Sequence, residues 1–92
     1  MQITVRYYAA AQAAAGRPEE SLAAPEGASL ADALEAALAV VRVPASPSTG
    51  APPLADVLRR CTFLVNEVAV RDRARVLADG DVVDVLPPFA GG

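Results

Sequence analysis

One stretch of this chain carries a sustained helical apolar period, and runs with a period of two lie on both sides of it. Leu30, Leu34, Leu38 and Val41 recur at intervals of three and four, with Ala33 and Ala37 on the same face. That spacing predicts an amphipathic helix from Leu30 to Val41 with its leucine stripe in the core. Ser29 stands before it as an N-cap, and Asp32 follows three residues later in a shortened capping box. Upstream, Ile3, Val5 and Tyr7 alternate with Thr4, Arg6 and Tyr8, so a strand is expected from Gln2 to Tyr8. Downstream, Thr62 to Asn66, Val68 to Val70 and Asp81 to Leu86 read as strands. Strands on both sides of one strong helix point to an α+β fold, with the helix laid across one face of a sheet. If the first and last strands pair side by side in the middle, they run parallel and the helix is their crossover.

Shorter elements fill the intervals. Ala9 to Ala15 is alanine-rich and favours a helical turn, which Gly16 can cap. Glu19 to Ala24 alternates weakly and can pair with the first strand. Pro25-Glu26-Gly27, Asn66-Glu67 and Asp79-Gly80 are turn signals. Leu54 to Arg60 reads as a short helix with Leu54, Val57 and Leu58 on one face. Arg71 to Arg75 is a solvated connector. Val43 to Pro53 holds four prolines and no charge, and is expected to be a surface loop of the kind that tolerates insertion. No internal repeat is present.

Ninety-two residues make one domain. Alanine supplies much of the apolar content, and there are two Phe, two Tyr and no Trp, so Val, Leu and Ile must form the core. A net charge of −3 argues against a nucleic-acid grip built on phosphate neutralisation. All eight basic residues are Arg, and there is no His. That removes the imidazole base, the imidazole metal ligand and the Schiff-base lysine. One cysteine excludes an internal disulfide and a cysteine-based zinc site. No apolar run approaches the length of a membrane span, and no charged-then-apolar leader precedes the first strand. A soluble cytoplasmic protein with no bound metal or cofactor is expected.

Few side chains then remain for chemistry. Glu19, Glu20, Asp56, Asp72, Asp79, Asp81 and Asp84 are scattered among turns and strand ends, and are expected to be solvated. The glycines at 16, 27, 50 and 80 match no phosphate loop. Arg59, Arg60, Arg71, Arg73 and Arg75 read either as solvated positions or as a basic face that docks an acidic partner. Cys61 follows a short helix at its C-terminal end, where the dipole does not favour a thiolate. It is expected to be a small core residue.

The chain closes on Pro87-Pro88-Phe89-Ala90-Gly91-Gly92. Two prolines hold the backbone extended and remove donors, and two glycines strip side chains from the neighbourhood of the last carboxylate. A frayed end and a thin arm that carries a carboxylate to a narrow place are both compatible with these residues. The order of stiff prolines before bare glycines favours the arm, which divides the chain into a domain, 1–86, and a tail, 87–92. By elimination the reactive group is the Gly92 carboxylate. A separate enzyme could adenylate it with ATP, and a sulfur or nitrogen nucleophile could then displace AMP.

Several of these stretches together resemble a known family. Asp79-Gly80-Asp81, the run Val82 to Leu86, the tail Pro87 to Gly92, the opening Val5-Arg6-Tyr7-Tyr8-Ala9-Ala10 and Leu64-Val65-Asn66-Glu67 are similar to the MoaD-like sulfur carriers, the small subunits of molybdopterin synthase. The resemblance implies a ubiquitin-like β-grasp fold with a mixed sheet. It implies that Gly92 is adenylated by an ubiquitin-activating-like (MoeB-like) enzyme and converted to a thiocarboxylate. The tail, Pro87, Pro88, Phe89, Ala90 and Gly91, would insert into a MoaE-like large subunit within a heterotetramer. There Gly92 would give sulfur to cyclic pyranopterin monophosphate on the way to the dithiolene of molybdopterin. The chain would be no catalyst alone. Related carriers for cysteine or thiamine thiazole synthesis share the fold, the tail and the activation. A ubiquitin-like modifier would join Gly92 to a lysine of a target, and a plain β-grasp binding module would need no free terminus. The Pro-Pro pair before Phe89-Ala90 favours the molybdopterin branch. The departure from the family is the proline-rich stretch 43–53.

Overall fold

The computed structural model describes residues 1–40 and 53–88. Along them the chain forms β1 (Gln2–Tyr7), α1 (Ala10–Ala15), β2 (Glu19–Ala23), α2 (Leu30–Ala39), α3 (Leu54–Leu58), β3 (Thr62–Val65), β4 (Val68–Val70) and β5 (Val82–Leu86). The five strands make one sheet in the order β2-β1-β5-β3-β4. β1 and β5 pair in parallel, with Val5 opposite Val83 and Tyr7 opposite Val85. The other three pairings are antiparallel. A mixed five-stranded sheet with its first and last strands parallel at the centre, crossed on one face by its main helix, is the ubiquitin-like β-grasp arrangement.

Period-two alternation decides which side of the sheet is dry. Ile3, Val5 and Tyr7 of β1, Leu22 of β2, Phe63 and Val65 of β3, and Val83 and Val85 of β5 are all buried. They join Ala11 and Ala15 of α1, Leu30, Ala33, Leu34 and Ala37 of α2, and Leu54, Val57 and Leu58 of α3 in one core cluster. All three helices therefore lie on the same face. Among the described residues nothing covers the other.

α2 begins where the capping residues place it. The Asp32 amide donates to Ser29 Oγ at 3.2 Å, and the Ser29 amide donates back to Asp32 Oδ2 at 2.9 Å. The end of the helix differs from expectation. Ala39 is its last residue, Val40 is extended, and Val41 lies outside the described residues. Leu38 is also not a core residue: it is 42% exposed, against 4% for Leu34. At about 100° per residue Leu38 stands roughly 80° round the helix from Leu30, whereas Ala33, Leu34 and Ala37 fall within about 60° of it. The stripe thus drifts out of the core, and Leu38 ends beside Leu34, Leu58 and Arg73 at the mouth of the α2–α3 groove. The proline-rich stretch lies outside the described residues apart from Pro53, which stands at the N-cap of α3.

The other turns follow their residues. Gly16 closes α1 in the left-handed conformation, its amide donating to the Gln12 carbonyl. Asn66 and Glu67 both have positive φ, 49° and 71°, the two-residue hairpin geometry that matches strand twist.

Glu20 corrects the reading of the acids as solvated. Alternation places it on the face of Leu22, and it is only 8% exposed. The Tyr7 hydroxyl donates to its carboxylate, and Arg17 Nη1 lies 3.8 Å away. A buried carboxylate needs such partners, because an unmatched one costs several kcal/mol of desolvation on the order of a lost charged hydrogen bond.

Truncating the two leucines should separate their roles. Leu34→Ala is expected to cost about 2–5 kcal/mol through lost burial and a cavity. Leu38→Ala should cost less than about 1 kcal/mol. Urea unfolding of both variants tests this, and equal losses would place Leu38 in the core after all.

Candidate functional site

β5 is the strand from which the tail departs, and both of its edges are paired. Its start is held by the turn before it. Asp79 Oδ1 accepts from the Gln2 amide at 2.6 Å, and the Gly80 amide donates to the Gln2 carbonyl at 2.8 Å. Gly80 has φ 86°, a conformation glycine adopts without a side-chain clash. Asp81 Oδ2 accepts from the Ala78 amide and Oδ1 from Asn66 Nδ2, at 2.8 and 2.9 Å. Asn66 Oδ1 in turn accepts from the Val82 amide at 3.0 Å. The Ala78 amide, then the Asn66 side chain, hold the Asp81 carboxyl below the usual carboxylate range, with desolvation opposing them.

The far end of β5 is held as well. The Tyr8 amide donates to the Val85 carbonyl, and Thr62 Oγ1 to the Leu86 carbonyl, both at 3.3 Å. Pro87 is then buried and Pro88 exposed. Both line an open groove of about 410 Å³ with Ala10 of α1 and Asp56, Val57, Arg59 and Arg60 at α3. Phe89, Ala90, Gly91 and Gly92 lie outside the described residues.

The arginines read either as solvated positions or as a basic face have different surroundings. Arg59 Nη1 lies 3.7 Å from Asp56, both largely exposed, a pairing of little energetic weight. Arg60 is exposed beside the groove. Arg73 is committed elsewhere: Nη2 donates to the Leu58 carbonyl at 3.1 Å, and the guanidinium stacks on the Phe63 ring at 4.9 Å. It ties the connector to α3 and β3. Cys61 is where the residues around it implied, 9% exposed, its Sγ donating to the Val57 carbonyl at 3.1 Å. Burial pushes its thiol pKa up, against the opposite pull of Arg73, which works against a reactive thiolate.

The uncovered face of the sheet has a polar centre that the sequence reading missed. Cross-strand register puts Thr4 beside Val82, Arg6 beside Asp84, Asp84 beside Leu64, and Leu86 beside Thr62. Arg6 Nε and Nη2 reach Asp84 Oδ1 and Oδ2 at 2.5 and 2.9 Å, a two-pronged fork. Asp84 is only 4% exposed, although no helix covers it, and the Arg6 side chain is 37% exposed. Asp84 is therefore not the solvated strand-end acid that was expected. The hydrogen bond to Asp84 raises the Arg6 pKa further, against desolvation. Opposite charges set inside two apolar strands expected to be neighbours were the available signal.

Comparison with known proteins gives a consistent picture. The ThiS family model matches residues 5–92. The molybdopterin synthase sulfur carrier subunit of Chlamydomonas reinhardtii is 33% identical over 93 residues, covering 100% of each chain. Among solved structures, SAMP1 from Haloferax volcanii superposes with a TM-score of 0.74 at 22% identity, covering 100% of both chains. A chain from the complex of subunits 1 and 2 of the molybdopterin-converting factor from Helicobacter pylori superposes with a TM-score of 0.59 at 22% identity, again covering 100% of both.

The Asp81 turn has a pH signature. A carboxyl whose folded pKa is depressed contributes stability above its unfolded value, near 3.8, and loses it as the pH falls through the folded value. Asp81→Asn should therefore be less stable than the parent at neutral pH, with the gap closing below about pH 4. Urea midpoints measured from pH 7 down to pH 2 check this; a gap that stays constant would show that the Asp81 charge is immaterial.

Proposed function

This chain belongs to the ThiS family, and from that premise we propose that it is the sulfur-carrying small subunit of a molybdopterin synthase. The observation that carries the reading is the full-length match to a protein named as that subunit. In this reading residues 1–86 are the docking domain and 87–92 the working tail. The paired strand β5 and the buried Pro87 give the tail a fixed point of departure.

The chemistry follows from a carboxylate that is inert until activated. The Gly92 carboxylate oxygen attacks the α-phosphorus of ATP in a separate MoeB-like enzyme, pyrophosphate leaves, and an acyl adenylate forms. Sulfide-level sulfur, as HS⁻, attacks the acyl carbon, AMP departs, and a thiocarboxylate remains. Bare glycines at 91 and 92 let this carbon enter a narrow adenylation site. The tail then enters a MoaE-like large subunit, where the sulfur passes to cyclic pyranopterin monophosphate and water restores the carboxylate. Two such deliveries build the dithiolene. The chain supplies the reacting group and the docking surface, and its partner supplies the catalytic site.

Intact-mass analysis after incubation with activating enzyme, ATP and a sulfur source is the direct test. A gain of about 16 Da, oxygen replaced by sulfur at the terminus, is expected. A branched peptide through Gly92 would instead mark a protein modifier. Deleting Gly92 sets the end about 3.5 Å short, and misplacement of about 1 Å can already cost on the order of a hundredfold. The deletion should leave melting unchanged and abolish thiocarboxylate formation. Cys61→Ser should do the reverse, losing some stability while sulfur transfer persists. An active deletion with a dead Cys61→Ser would replace the carrier mechanism with a thiol relay.

Phe89 is the tail's aromatic anchor in this reading. Phe89→Ala should weaken binding to the large subunit by about 1 kcal/mol or more. Isothermal titration with the unmodified chain measures it, and unchanged affinity would remove Phe89 from the interface.

A further inference from the structure

The Arg6–Asp84 pair joins the two central strands. It occupies the middle of the central strands, on the face that no described element covers. Leu64 is its cross-strand neighbour on β3, and Val82 and Leu86 follow at two-residue steps along β5; all three are only partly buried. Asp84 itself is only 4% exposed. Replacing a shielded ion pair with apolar residues of similar size is often neutral or stabilising, because two charges no longer have to leave water. Stability alone therefore gives no reason for a charged pair among Leu64, Val82 and Leu86.

Recognition does give a reason. A guanidinium carries five N–H donors. Asp84 accepts from Nε and from one N–H of Nη2, and the remaining donors have no partner among the described residues. Asp84 fixes the plane of the fork, so those donors are held in place on the face. A partner that covers it must offer an oxygen acceptor or leave buried donors unmatched, which costs the desolvation of those donors. The face is also continuous with the tail: Leu86, on its surface, is followed directly by Pro87 and Pro88. A subunit that receives the tail is thereby brought alongside Arg6.

We infer that Arg6, held by Asp84, is a specificity-determining contact of the uncovered sheet face, donating to a carboxylate or backbone carbonyl oxygen of the large synthase subunit. The inference rests on the carrier reading for its partner and adds a contact that reading does not contain. Its arginine stands at the centre of the docking face, whereas charged contacts ordinarily gather at the rim. An all-apolar face would accept many apolar surfaces; a fixed donor at its centre penalises those without an acceptor.

The test compares the parent chain with Arg6→Leu/Asp84→Leu and with Arg6→Lys, each checked by thermal melting. Binding to the large molybdopterin synthase subunit of the same organism is followed by surface plasmon resonance. The double variant should melt at or above the parent temperature and bind at least about tenfold more weakly, chiefly through faster dissociation. Arg6→Lys keeps the charge but not the fork, and should bind between the two; it also answers the question should the double variant fail to fold. Parent-like affinity in the folded variants overturns this inference and leaves the carrier reading standing. No binding by the parent chain overturns both.

Discussion

The parallel pairing of β1 with β5 is the contact on which the rest of the structure depends. It joins the two ends of the chain, with Arg6 opposite Asp84 across 78 positions of sequence. Parallel neighbours cannot be joined by a hairpin, so the chain between them must cross over the sheet. α2 makes that crossing, and its apolar stripe has only one sheet face to bury against. The antiparallel strands β2 and β3 then add to the outer edges of the central pair, and β4 follows as a hairpin. Once β5 is locked between β1 and β3, the position and direction of Pro87 are settled too.

The two faces of the sheet solve the burial of charge differently. On the helix side Glu20 is dry; the Tyr7 hydroxyl donates to it, and the half-exposed Arg17 reaches it only at 3.8 Å, its own charge staying in water. On the uncovered side Asp84 is nearly as dry but is matched by a full guanidinium, which keeps part of its surface in contact with solvent. A tyrosine is cheap to bury because most of it is apolar. An arginine is not, and it is tolerated where its outer edge can still be hydrated or met by another oxygen. The same alternation that dries Tyr7 and Val85 therefore presents Arg6 and Asp84 to whatever docks.

The chemistry proposed for Gly92 matches what the folded domain withholds. The chain has no histidine or lysine, its cysteine is buried against a backbone carbonyl, and its acids are either solvated or paired. Such a domain leaves the reacting group of the proposed reaction to the terminus. A groove lined by Ala10, Val57 and Arg60 with Pro87 and Pro88 lies where the chain leaves β5.

Local signals in the sequence determined most of the elements. Period-two runs, the Ser29–Asp32 capping box, the Asn66-Glu67 and Asp79-Gly80 turns and the main helix all rest on interactions within a few residues, which composition and spacing encode directly. The exit of the chain at Pro87 and Pro88 was equally legible, since proline acts on its own backbone. Tertiary structure decided what depends on distant neighbours. Leu38 belongs to the leucine period, yet it stands about 80° from Leu30 round the helix, and the sheet met only the other side of the stripe. Glu20 and Asp84 read as ordinary surface acids until strand pairing set Tyr7 and Arg6 against them. Arg73 read as a free cation until the connector folded back over Phe63 and the Leu58 carbonyl. A carboxylate or guanidinium carries no mark of burial in its own sequence; its state is set by the partner that the sheet register brings to it.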